Sequence, residues 1–259
     1  GAYTQVNVPG ILVPNPVATA KERKFNNATS RLLGDIYAQW EIIPDLRLKV
    51  SLGTDIMYHK TNRYTPSTIY QANGTATAQI GINKSINWLN ENTLTWNKTF
   101  AEDHDLNLLG GFTMQKNNTE YVMASSSNFV NDVMEYNNLG AGSVYNKPES
   151  NAMQWSLMSY LARVNYTLKH KYLFSVNARV DGSSRFGANN KYGFFPSASA
   201  GWRISEEAFM EPVKETISNL KLRASYGFTG NTEIGVYESL ATLGTSNWIL
   251  GNQLVSGFL

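Results

Sequence analysis

Residues 172–205 read YLFSVNARVDGSSRFGANNKYGFFPSASAGWRIS, and this stretch decides the fold. Its even positions Tyr172, Phe174, Val176, Ala178 and Val180, then Phe194, Pro196, Ala198, Ala200, Trp202 and Ile204, are apolar or aromatic. Its odd positions Ser175, Asn177, Arg179, Asp181, Ser197, Ser199, Gly201, Arg203 and Ser205 are polar or glycine, with Leu173 and Phe195 as the exceptions. Side chains alternate across a strand, so the stretch predicts two strands with one apolar and one polar face, joined through DGSSRFGANNKYG.

The same parity runs outward through the chain. Segments 32–42, 46–58, 78–100, 106–114, 158–168 and 220–228 each put most of their apolar residues at even numbers, as in Leu46, Leu48, Val50, Leu52, Ile56 and Tyr58, with Lys84, Asn90, Asn92 and Lys98 as the even-numbered exceptions in 78–100. With the opening pair this predicts an all-β antiparallel meander of about eight long strands. Connections at 44–45, 101–105 and 169–171 are short, whereas 59–77, 117–153 and 182–192 are expected to be long loops. Short and long connections alternate, which puts every second turn at the same end. Residues 206–219, EEAFMEPVKETISN, break the rule at the short end and are expected to hold a turn of helix.

Composition narrows the function classes. The 259 residues carry a formal charge of +2 with scattered basic residues, which argues against a nucleic-acid partner. There is no cysteine, so disulfide scaffolds, thiolate metal sites and cysteine nucleophiles are excluded. No apolar run reaches the roughly 18 residues of a transmembrane helix, and the first residues lack the basic and apolar regions of a signal peptide. The start at Gly1 rather than Met fits a processed product or an excised piece. Abundant Asn, Thr, Ser, Gly and aromatic residues fit a sheet with one wet face better than a helical bundle.

A soluble β-sandwich also alternates, and the two readings separate by strand length. Sandwich strands average about five or six residues, whereas tilted membrane strands need roughly ten. Here the alternating segments reach the longer figure. Aromatic residues gather toward segment ends on the apolar face, at Trp40, Tyr58, Phe100, Tyr172, Trp202 and Tyr226, where interfacial girdles sit. The pattern therefore favours a transmembrane β-barrel with the short turns on the periplasmic side. The alternative is a self-contained binding module for glycans, either a soluble sandwich or a small adhesive barrel.

Specific strings then carry a resemblance. NARVDGSSRFGANNKYGFFPSASAGWRISEEAF at 177–209 and ISNLKLRASYGFTGN at 217–231 resemble the C-terminal half of the barrel in SusC/RagA-type TonB-dependent outer-membrane transporters. NPVATA at 15–20, FNNATSRLLGDIYAQWEIIPDLRLKVSLGTD at 25–55 and LARVNYTLKHKYLFSVNARVDGSS at 161–184 extend the resemblance over nearly the whole chain. It implies part of a large, roughly 22-stranded transmembrane barrel. It also implies import of oligosaccharides or peptides across the outer membrane of a Gram-negative bacterium. The implied partners are a SusD-like surface lipoprotein, outer-membrane lipid and TonB-ExbB-ExbD acting through a plug. On this reading residues 1–259 are one partial barrel domain, with plug and TonB box outside the chain.

No catalytic residue, metal or cofactor is expected. Asp181, Gly182, Ser183, Ser184, Arg185 and Gly187 form a Gly- and Ser-rich hairpin loop that lacks the lysine and helix of a phosphate loop. His59, His104 and His170 are expected in turns or at strand ends rather than as metal ligands. Candidate ligand-binding residues are the aromatics of the long loops, Phe129, Tyr136, Tyr145 and Trp248, whose faces suit stacking on sugar rings or a docked partner. Their competing role is loop packing. Candidate lumen- and plug-facing residues are Arg47, Lys49, Arg163, Arg203, Lys221 and Arg223, all odd-numbered and close to the short turns.

Overall fold

The computed structural model describes residues 15–69, 74–241 and 244–258. Eight long strands lie in chain order in one sheet: β1 (Lys24–Ile43), β2 (Leu46–Thr65), β3 (Thr77–Phe100), β4 (His104–Phe129), β6 (Glu149–Leu168), β7 (Tyr172–Ser183), β8 (Tyr192–Arg203) and β9 (Lys221–Gly227). The short β5 (Gly142–Tyr145) pairs only with β4, and β10 (Thr245–Leu250) pairs with β11 (Gln253–Phe258) in a separate hairpin. The predicted all-β meander is the observed one. Every residue of β1 and of β9 is exposed, and these two edges do not pair with each other.

Register fixes the faces. Tyr172 pairs with Trp202, Val176 with both Val164 and Ala198, and Ala198 with Tyr226. Every pair joins residues of equal parity, so one face of β6–β9 is entirely even-numbered and the other entirely odd. A slip of one residue would exchange the faces, and the apolar set on the even side pins the register against it.

The short turns need no glycine. Asp45, Ala101, Glu102, Lys169 and His170 all adopt left-handed backbone conformations. Lys169 and His170 together give two consecutive positive φ angles, the backbone of a type I′ turn. The 206–219 segment holds 3-10 turns at Ile204–Glu206 and Ala208–Val213, in line with the expected turn of helix.

Strand length is where the structure departs from the alternation. Loops were predicted at 59–77, 117–153 and 182–192, yet β2 continues to Thr65, β4 runs on to Phe129, and β6 begins at Glu149. β1 likewise begins at Lys24 rather than Leu32. In these extensions both faces carry polar residues, so the apolar signal fades while the ladder of backbone hydrogen bonds goes on.

Chain contacts divide the described residues into two compact units, one of 15–37, 51–69, 74–90 and 116–154, the other of 38–50, 91–115, 155–241 and 244–258. The first has a small core of its own. Tyr64, Ala76 and Ala78 are buried there, with Phe129, Tyr136 and Leu139 packed against them. A short helix, α1 (Pro16–Glu22), belongs to the same unit. Pro16 occupies its first turn, and the Asn15 side chain accepts from the backbone N–H groups of Val17 at 2.9 Å and Ala18 at 3.3 Å.

Candidate functional site

The odd face of the second unit is a connected polar surface. Asn107 donates to Asn97 at 2.5 Å and Asn165 to Asn107 at 3.0 Å, while Ser175 donates to Asn165. A parallel row runs from Arg163 to Asn177 at 2.7 Å and from Asn177 to Ser197 at 3.2 Å. Arg179 donates to Ser159 at 3.1 Å and to Asp181 at 2.6 Å. Each member is odd-numbered, so the strand period alone brings them together. The apolar exceptions on this face sit over glycine: Leu173 is paired with Gly201, Phe195 lies against Gly193 and Gly230, and Leu161 covers Gly111. An added Cβ would crowd its neighbour at Gly111, Gly193 and Gly230, most severely at Gly230, where it would come within 2.3 Å of Phe195, whereas at Gly201 it would make ordinary contact.

The even face carries the complementary set. Trp96 and Phe100, Phe112 and Tyr160, and Tyr166 and Phe174 form aromatic pairs with ring centroids 6.3, 5.1 and 6.4 Å apart. His104 joins this face, with Nδ1 2.6 Å from the Tyr166 hydroxyl.

The comparisons with known proteins meet this geometry directly. The family model described as TonB dependent receptor-like, beta-barrel matches residues 2–252. The chain belongs to the TonB-dependent receptor β-barrel family. It is 38% identical over 258 residues to TonB-dependent receptor P3 of Formosa agariphila, covering 99% of this chain and 26% of that protein. Over 80 residues, 31% of this chain and 8% of the other, it is 49% identical to TonB-dependent receptor SusC of Bacteroides thetaiotaomicron. A solved structure of the RagAB peptide transporter superposes with a TM-score of 0.82 at 25% identity, covering 94% of this chain and 27% of that one. The chain thus spans about a quarter of the length of receptor P3 and of the RagAB chain it matches.

TonB-dependent receptor barrels lie in the outer membrane, and receptors of the family are transporters rather than enzymes. An apolar face and a polar face on opposite sides of one sheet are what a transmembrane barrel wall presents to lipid and to its interior. No helix among the described residues is long and apolar enough to cross a membrane.

The six predicted basic residues all lie on odd positions of β2, β6, β8 and β9. Arg163 donates to Asn177, and Arg203 donates to the backbone carbonyl of His170 at 3.2 Å. Arg163 and Arg223 line one shallow concavity with Ser175 and Ser199, and Lys221 joins Arg223 in the next. Among the described residues, no carboxylate pairs with Arg47, Arg163, Arg203, Lys221 or Arg223, in contrast to Lys171, which pairs with Glu207 at 3.1 Å.

The four predicted aromatics part company. Phe129 closes β4 and meets Tyr64 edge-on at 6.0 Å between centroids, and Tyr136 packs on the same core, so both pack within the first unit. Tyr145 is a strand residue of β5, not a loop residue, and is 69% exposed with its hydroxyl donating to the Gly140 carbonyl at 3.3 Å. Trp248 sits in β10, also a strand, about half exposed. His59 lies within β2 rather than in a turn, because that strand runs on to Thr65. Its Nδ1 is 2.7 Å from Thr29 Oγ1 and its Nε2 is 3.2 Å from Thr61 Oγ1. His170 stands 3.4 Å from Asp105 at the short-turn end.

Three clusters escaped the sequence reading. Arg185 of the DGSSRFG loop stacks on Trp155 at 4.8 Å and donates to the Ile234 carbonyl at 3.0 Å and to Glu233 at 3.2 Å, leaving its side chain 13% exposed. Tyr64 donates to Asp132, and burial followed by that carboxylate pushes its pKa up. At the opposite end Glu207 accepts from Trp202 Nε1 at 2.9 Å, Tyr172 Oη at 2.8 Å and Lys171 Nζ at 3.1 Å. These bonds, that from Trp202 foremost, lower the Glu207 pKa to about 2. Parity put Tyr172 and Trp202 on one face; that they pair, and that one carboxylate binds both, came only from the structure.

Proposed function

We propose that this chain forms part of the barrel wall of an outer-membrane, TonB-dependent importer of oligosaccharides or peptides. The observation that carries the reading is the pair of single-parity faces: one apolar for lipid, one a hydrogen-bonded polar surface suited to a hydrated interior. The likeness to the RagAB peptide transporter supports the peptide class. The full protein works with a SusD-like surface lipoprotein and draws energy from TonB-ExbB-ExbD through a plug. Tyr145 and Trp248, both exposed, are the aromatics offered to cargo or partner.

The basic band of Arg47, Lys49, Arg163, Arg203, Lys221 and Arg223 faces that plug and meets carboxylates on it. Pairs shielded there are worth more than the roughly 0–1 kcal/mol of an exposed pair, because a charge left alone keeps its desolvation cost. The test is uptake of labelled oligosaccharide and labelled peptide by cells carrying the full-length protein, its deletion, or single variants. Deletion removes uptake of one cargo class, and uptake unchanged for both classes overturns the importer reading. Arg203→Glu and Arg223→Glu alter uptake and expose the plug to protease with barrel assembly intact, whereas Arg185→Glu leaves the plug protected. Unchanged uptake and plug protection in both inner-wall variants overturn the basic-band assignment.

A further inference from the structure

Charge on the lipid face is sorted by residue type. Every arginine of the strands is odd-numbered: Arg31, Arg47, Arg63, Arg163, Arg179, Arg203 and Arg223. The even-numbered cations in the strands are all lysines, namely Lys24, Lys60, Lys84, Lys98 and Lys116. Lys24 is held by Glu135, and Lys98 pairs with Asp45 at 3.2 Å at the short-turn end. The remaining three, Lys60 on β2, Lys84 on β3 and Lys116 on β4, lie on neighbouring strands of the first unit. None has an ion-pair partner among the described residues, and Glu120 is the one even-numbered carboxylate in the strands. Their neighbours confirm the face: Thr29 meets His59 and Asn117 meets Ser85 on the odd side, which leaves the even side to the lysines.

Depth follows from the strands themselves. On β2 the even face is apolar or small from Leu48 to Tyr58, and Lys60 is the next even residue. On β4 it runs Leu106, Leu108, Gly110, Phe112, Met114 and then Lys116; on β3 the even face stays apolar at Ile82 and Ile80 beyond Lys84, and the level of Lys84 follows from its neighbour Ser85, which bonds to Asn117 beside Lys116. About ten tilted residues span the hydrocarbon, so each lysine stands where the lipid headgroups of the outer leaflet begin. A lysine at the hydrocarbon midplane costs about 2–4 kcal/mol, and the cost falls nearly to zero at the interface. Three amines on one lipid-facing surface at headgroup depth, with Glu120 as the one strand carboxylate on that face and the loop carboxylates Asp132 and Glu135 already held by Tyr64 and Lys24, are complementary to an anionic headgroup.

We propose that Lys60, Lys84 and Lys116 form a docking site on the lipid face for the phosphate of an outer-leaflet glycolipid. The site is separate from cargo passage, since it lies on the opposite face of the sheet from the polar wall. Each lysine near an anionic surface adds about fivefold to affinity and the three together about a hundredfold. The full-length protein is purified in neutral detergent, and its binding of monophosphorylated lipid A, of the dephosphorylated molecule and of phosphatidylglycerol is measured by native mass spectrometry. Wild type and the Lys→Arg triple variant are expected to retain the monophosphorylated form, the Lys→Gln triple variant to lose most of it, and Lys98→Gln to match wild type. Single Lys→Gln variants cover the case in which the triple variant fails to assemble, each weakening binding about fivefold. Equal retention of the phosphorylated and dephosphorylated molecules, or full retention by the Lys→Gln variants, overturns the site. Phosphatidylglycerol binding as tightly as the glycolipid overturns the glycolipid assignment. Uptake assays on the same variants distinguish loss of this site from failure of the importer reading, because transport is expected to persist.

Discussion

Val176 and Ser199 offer the sharpest test of the two-faced sheet. Val176 is on the even face of β7, 55% exposed, and paired with Val164 and Ala198. It lies four residues beyond Tyr172, so at about 3.3 Å per residue and a tilt of about 40° it stands about 10 Å above that girdle residue. An apolar band about 25 Å tall places it close to the midplane. Val176→Arg therefore costs about 2–4 kcal/mol, a shift of about thirtyfold to several hundredfold in the folding equilibrium. Ser199→Arg puts the same charge on the odd face, where Ser199 pairs with Ser175 and Ser225, and costs less than about 1 kcal/mol. Asn177→Asp, beside Val176 in sequence but 2.7 Å from Arg163, is neutral or stabilising by at most about 1 kcal/mol. Guanidinium unfolding of the full-length protein from lipid vesicles measures all three. Equal losses from both arginine variants, or a larger loss from Ser199→Arg, would refute the assignment of faces.

The remaining predictions concern the clusters at the two ends. Tyr64→Phe removes a hydrogen bond to the Asp132 carboxylate worth about 1.5–3 kcal/mol; hydrogen exchange should speed up across 129–141, with β6–β9 unchanged. Arg185→Lys keeps the charge but loses the planar stack on Trp155, so it should loosen residues 229–240 to protease nearly as much as Arg185→Ala, whereas Glu233→Gln, whose carboxylate is largely exposed, should change little. Glu207 has a folded-state pKa below its ordinary value of 4.5, so its stabilising contribution is full above pH 4.5 and is lost as pH falls toward about 2. Protease sensitivity of the 204–220 segment should rise through that window in the native protein, and Glu207→Gln should abolish the pH dependence.

Sequence by itself determined the faces. From Leu46 to Phe228 the parity of apolar residues is a property of the strand period and of the solvent on each side, so it survives without knowledge of any partner. It fixed the meander, the order of short and long connections, and the odd face carrying Arg163, Arg203 and Arg223. What the tertiary structure alone decided is everything that depends on a meeting across the chain. Where both faces turn polar, as beyond Tyr58 in β2 and beyond Met114 in β4, alternation carries no signal, and only strand pairing extends the strands to Thr65 and Phe129. Phe129 and Tyr136 look like free loop aromatics until Tyr64, from a strand far away in sequence, is seen packed with them. Arg185 likewise reads as one residue of a flexible Gly- and Ser-rich loop. Trp155 and Ile234 come from other parts of the chain, and pairwise contacts of that kind leave no periodic mark in sequence.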